Sequence, residues 1–121
     1  MTENPGLTSL HTIFVREHNR VASQVKGLRP WWNDEKIYQE SRRIVVAELQ
    51  NIVYKEFLPI ILGDETVDHG TNSAYNANDD ATVHNVFATA AYRFGHSLIA
   101  KELSMTSGDA YNLEENFFNI E

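Results

Sequence analysis

Apolar residues at positions 7, 10, 14, 21, 25 and 28 recur at helical spacing and predict a first helix from about Leu7 to Leu28. The one gap in this stripe is His18, which by position reads as a structural histidine with a hydrogen-bonded ring. Gly27 and Pro30 end the helix. Asn33, followed by Asp34 and Glu35, has the form of an N-cap with an acidic first turn, and opens a second helix running to about Phe57. Ile37, Ile44, Val45, Ile52 and Val53 form its apolar face, and Pro59 with Gly63 stops it. Residues 64–81 are dense in Asp, Asn, Gly, Thr and Ser, the signature of a long exposed loop. A third helix follows from Thr82 to Ala100, capped by Thr82 or Asp80, with Phe87, Phe94 and Leu98 on one side. The tail from Lys101 to Glu121 is less regular, and no strand-length alternation is visible, so the expected architecture is all-α.

Inside the third helix the pair Gly95-His96 needs a reason, because Gly in a helix interior costs about 1 kcal/mol relative to Ala. Close approach of a flat group to the backbone is one. On the helical wheel His96 lies opposite the aromatic side, which leaves two readings: a solvated imidazole, or a ligand facing a cofactor on the second face.

Composition narrows the field. The chain has 121 residues, enough for one modest domain, and 42% of them are hydrophobic, as in ordinary globular proteins. A formal charge of −7 opposes binding to a phosphate backbone, and no basic stripe offsets it, so nucleic acid is not an expected partner. No cysteine is present, which removes disulfides, thiolate metal sites and cysteine nucleophiles. The amino terminus lacks the features of a signal peptide, and no apolar run reaches the length of a membrane span.

Most other chemistries fail on spacing. Asp64, Asp68, Asn72 and Asn76 lack the alternation of a calcium hand, so a solvated loop is the plainer reading. Glu-x-x-His pairs of the di-iron type are absent, and Glu65 with His69 or Asp80 with His84 read as exposed ion pairs. No Gly-x-Ser-x-Gly elbow or phosphate loop appears. A haem held by a single histidine stays open.

Longer runs carry more. Leu7-Thr8-Ser9-Leu10-His11-Thr12, Arg16-Glu17-His18-Asn19-Arg20-Val21-Ala22, Trp32-Asn33-Asp34-Glu35-Lys36-Ile37-Tyr38-Gln39-Glu40 and Arg42-Arg43-Ile44-Val45 resemble the animal haem peroxidase superfamily. Tyr54, Phe57-Leu58-Pro59, Leu62-Gly63 and Val86 through Ile99 continue the similarity in the family order. The pattern is most similar to the peroxidasin-like and peroxinectin-like branches.

The resemblance implies a helical segment of a mostly α-helical catalytic domain, with residues 1–121 forming its proximal-ligand part. It implies that His96 is the axial ligand of the iron of haem b, and that Arg93 is placed to pair with a haem propionate, a surface salt bridge being the competing role. Glu3 matches the glutamate that can form an ester with a haem methyl group, whereas Asn4 stands where one mammalian member has a haem-bonded methionine. The family's peroxide-cleaving arginine falls one position before Met1. Its distal histidine and calcium site lie further upstream, and the asparagine partner of the proximal histidine lies downstream. The expectation is therefore an internal fragment carrying no catalytic residue of the distal side. The full-length protein is expected to be extracellular, to reduce hydrogen peroxide in the response to oxidative stress, and to oxidise halide, thiocyanate or phenolic donors such as tyrosine. The chain alone is expected to be inactive, and the rival expectation is a non-catalytic helical interaction module.

Overall fold

A computed structural model of the chain describes residues 3–63 and 76–118. These belong to two units: one takes in residues 3–8 and 76–118, the other residues 9–63. Helices make up most of the unit of residues 9–63, the other unit mixes short helices, loop and a hairpin, and the class is all-α.

Helix α1, Pro5–Leu28, begins two residues earlier than the apolar stripe because Asn4 caps it. The Asn4 side-chain oxygen accepts the Leu7 N–H at 2.8 Å, its carbonyl accepts the Thr8 N–H at 3.0 Å, and Pro5 occupies the first helical position. Helix α2, Asp34–Ile52, has the predicted cap: Asn33 is extended and its side chain accepts the Lys36 N–H at 2.9 Å.

In the second unit α1 and α2 bring Val21 and Ile37 to 5% and 7% exposure. The inward line of α2 differs from the predicted one, because Ser41 is fully buried there while Ile44 and Ile52 stay exposed. Ser41 tolerates this by donating its hydroxyl to the Ile37 carbonyl at 2.7 Å. His18 is half-buried against the Tyr38 ring, with 5.3 Å between ring centroids, and its buried Nε2 has no hydrogen-bond partner. The hydrogen-bonded core histidine read from the sequence is thus only partly realised.

Pro59 does not stop the helix. A π-helical turn, Val53–Phe57, widens the spiral just before it, with the Leu58 N–H reaching back to the Val53 carbonyl, and α3, Leu58–Leu62, carries Pro59 in its first turn. There the missing N–H costs nothing. Gly63 ends α3 with φ 84°, a value that favours glycine.

The first unit departs further from expectation. The predicted third helix divides into α4, Asn85–Thr89, and a 3₁₀ helix, Ala91–Leu98, separated by Ala90 at φ −135° and ψ −63°. His84, rather than Thr82 or Asp80, is the N-cap residue, and its side chain makes no capping bond. Asp80 is taken up by the Thr82 N–H at 2.9 Å in place of an ion pair with His84. Glu65, His69 and the proposed loop residues Asp64, Asp68 and Asn72 lie outside the described residues; 76–81 is loop as expected, and the loop runs on through 82–84, where the helix was expected to begin.

The tail contains an antiparallel hairpin that periodicity missed: β1, Glu102–Ser104, pairs with β2, Ala110–Asn112, setting Leu103 opposite Tyr111. Its turn is made by Gly108 at φ 89°, whose N–H donates to the Met105 carbonyl at 3.0 Å. Leu113, 6% exposed, is the buried apolar residue of this unit. No helix among the described residues is long and apolar enough to cross a membrane.

Two changes test these local assignments. Asn33→Ala should destabilise the α1–α2 unit by about 1 kcal/mol in urea or thermal unfolding followed by circular dichroism. Asp80 is held below the usual carboxylate range, first by the Thr82 N–H and then by its hydroxyl. A depressed folded pKa means the turn gains stability above the ordinary carboxylate value and loses it as pH falls through the lower one. The Thr82 amide resonance should therefore shift below the ordinary carboxylate range, and Asp80→Asn should abolish that titration.

Candidate functional site

The break at Ala90 decides how the candidate haem-facing residues are presented. The Arg93 N–H donates to the Ala90 carbonyl at 3.0 Å, starting the i to i+3 pattern, and from there side chains three apart eclipse one another. Arg93 and His96 consequently stand on one edge of the 3₁₀ helix, with Ile99 just beyond it. On the predicted α-helix the same two residues would diverge by about 60°.

His96 is exposed, and among the described residues its ring has no hydrogen-bond or ion-pair partner. Gly95 beside it is partly exposed, and a Cβ built on it would meet nothing within 4 Å. Its φ is not in the left-handed region, so backbone geometry does not require glycine there. What glycine leaves is open space at the turn that bears the imidazole.

Arg93 donates from Nε to the Ala88 carbonyl at 3.1 Å and lies 5.3 Å from the Tyr92 ring centroid. The side chain is thereby anchored at its stem, and among the described residues no carboxylate pairs with it. Tyr92 in turn stacks on Phe87, with centroids 6.0 Å apart, a pairing that the helical wheel did not indicate.

Glu3 belongs to the same unit as Arg93 and His96. It precedes the Asn4 cap, and its carbonyl accepts the Phe118 N–H at 2.9 Å, so the tail fixes the backbone next to it. Nothing in the sequence pointed to Phe118 in this role, because that contact joins opposite ends of the chain.

Among the described residues these features fit a haem: an imidazole without a partner, open space beside it, and a guanidinium on the same edge that pairs with no carboxylate. Among the described residues no three His, Cys, Asp or Glu side chains group to hold a metal ion directly.

Known proteins match along most of the chain. Mouse peroxidasin homolog is 45% identical over 116 residues, covering 95% of this chain and 7% of its own length. Mouse myeloperoxidase is 50% identical over 100 residues, covering 81% and 14% respectively. The solved structure of peroxidase A from Dictyostelium discoideum superposes with a TM-score of 0.79 at 38% identity, over 98% of this chain and 23% of that one. The chain thus spans a small part of each relative's length. With the animal haem peroxidase family pattern matching residues 1–121 from end to end, the chain belongs to the animal haem peroxidase family.

Proposed function

We propose that this chain is the proximal-ligand part of a haem-dependent peroxidase catalytic domain. The observation that carries the reading is His96 on the same 3₁₀ edge as Arg93, exposed and, among the described residues, without a partner. His96 would supply the axial nitrogen to the iron, Arg93 would hold a propionate through the guanidinium nitrogens left free by its Nε bond to Ala88, and Glu3 would anchor the group as an ester. Haem, when bound, supplies the redox chemistry by which hydrogen peroxide is reduced and halide, thiocyanate or phenolic donors are oxidised.

This chain's own residues orient that group. Arg93 would offer charge to a carboxylate, His96 would offer a ring nitrogen, and the Gly95 turn would offer room. Acid–base assistance to peroxide cleavage is assigned to the family's distal His and Arg, which match no position of this sequence. The calcium site of the full-length family is likewise assigned elsewhere, and an extracellular setting follows from the family reading.

Haemin titration of the chain should give a Soret shift that His96→Ala removes. Identical spectra for the two proteins overturn the ligand assignment in this chain and favour a helical interaction module. Peroxidase turnover of the haemin-loaded chain should be negligible beside that of a complete domain, measured with a phenolic donor. Gly95→Ala should leave the fold intact or raise helix content slightly, by circular dichroism, because its Cβ meets open space, yet it should weaken haemin binding several-fold by filling that space.

A further inference from the structure

Glu3 is held from two sides. Ahead of it along the chain, the Asn4 side chain caps α1 and the Asn4 carbonyl takes both the N–H and the hydroxyl of Thr8, each at 3.0 Å. The Glu3 carbonyl is held separately, by the Phe118 N–H at 2.9 Å. Phe118 has φ 63°, and among the described residues it is the one non-glycine with a positive φ. A bulky side chain in the left-handed region is a strained arrangement that persists only where its surroundings impose it, and such residues gather at functional sites. The Phe118 side chain is 74% exposed, so what the conformation secures is the direction of the N–H rather than burial of the ring.

The bonding that leads to Phe118 starts just after the His96 helix. Three residues beyond Leu98, the last of the 3₁₀ helix, the Lys101 carbonyl accepts the N–H of buried Leu113 at 2.9 Å. A turn is then built on Asn112: its side-chain oxygen accepts the N–H groups of Glu114 at 3.0 Å and Glu115 at 3.2 Å, and its carbonyl accepts the Asn116 side-chain amide at 2.9 Å. The Tyr111 hydroxyl, from β2, donates to the Asn116 carbonyl at 3.3 Å. Phe117 lines one hollow with Leu113 and Ile99. Residues 111–118 therefore form a strap that runs, bond by bond, from the segment after His96 to the carbonyl of Glu3, within one unit.

We propose, on the reading of Glu3 as the haem-anchoring carboxylate, that this strap holds that carboxylate in register with the axial histidine, and that Phe118 is its positioning residue. Ester formation demands such placement. The Glu3 carboxyl gives up its O–H hydrogen and a haem methyl one C–H hydrogen as the new C–O bond forms, and hydrogen peroxide takes up those two protons and two electrons and leaves as two waters. A freely moving carboxylate meets a fixed methyl rarely, whereas one whose backbone is tied to the His96 segment meets it repeatedly. One event per protein suffices, so slow peroxide chemistry is enough.

Covalent haem retention tests the strap separately from haem binding. After incubation of the haemin-loaded chain with a small excess of hydrogen peroxide, denaturation and reversed-phase chromatography, haem absorbance should elute with the polypeptide. Glu3→Gln should still give the Soret shift and retain no haem after denaturation. Phe118→Pro, which has no N–H and cannot adopt φ 63°, should slow attachment about tenfold or more while haemin affinity stays within about twofold and circular dichroism is unchanged. Phe118→Gly, which keeps the N–H and takes a positive φ freely, should retain attachment. Unchanged attachment in Phe118→Pro, or a loss in Phe118→Gly equal to it, overturns the strap. A His96-dependent Soret shift without Glu3-dependent attachment also overturns it and leaves the axial-ligand reading standing, whereas absence of the Soret shift overturns both.

Discussion

The backbone at Ala90 is the constraint on which the proximal segment depends. With φ −135° and ψ −63° it leaves the α region, and the next turn forms with three residues per turn instead of 3.6. Several local features agree with the change. Thr89 bonds back to the Asn85 carbonyl at 2.7 Å, a pattern that bends helices, and Gly95 lowers α-propensity in the turn that follows. Arg93 then closes the break by taking the Ala88 carbonyl with its Nε. One side chain thus completes the local hydrogen bonding and remains cationic on the His96 edge, which an uninterrupted α-helix would not have arranged.

Much of the fold was legible where the signal is local. The Asn33 cap with its acidic first turn was readable because capping needs only a side-chain oxygen and a nearby N–H. The Gly63 stop was readable because a positive φ favours glycine. Pro59 was misread as a terminator: a π turn places it in the first turn of a new short helix, and that widening leaves no mark in hydrophobic spacing. The hairpin was missed because strands of three residues are too short to show alternation, although Gly108-Asp109 was an available turn signal. His96 was legible as a candidate from its glycine neighbour, and its role came from resemblance. The α-helical wheel used to orient it had the wrong period.

The apolar stripes are faces, but most of their residues are not buried. Leu10, Phe87, Phe94 and Leu98 are all at least half exposed, and the buried apolar side chains among the described residues are Val21, Ile37 and Leu113. Periodicity reports which residues share a face, whereas burial depends on what lies against that face. The chain accounts for 23% of the length of the solved peroxidase it resembles, so most of the surface available to cover its stripes belongs to parts of such a domain not represented in it.

That distinction bears on how the site should be weighed. In a chain that buries little, exposure of a histidine carries little information, since most side chains are exposed. The informative property of His96 is relational: it shares an edge with a guanidinium that, among the described residues, pairs with no carboxylate, beside a turn with room where a Cβ would stand. Among the described residues no carboxylate pairs with Arg93, which leaves its charge available to an anionic ligand.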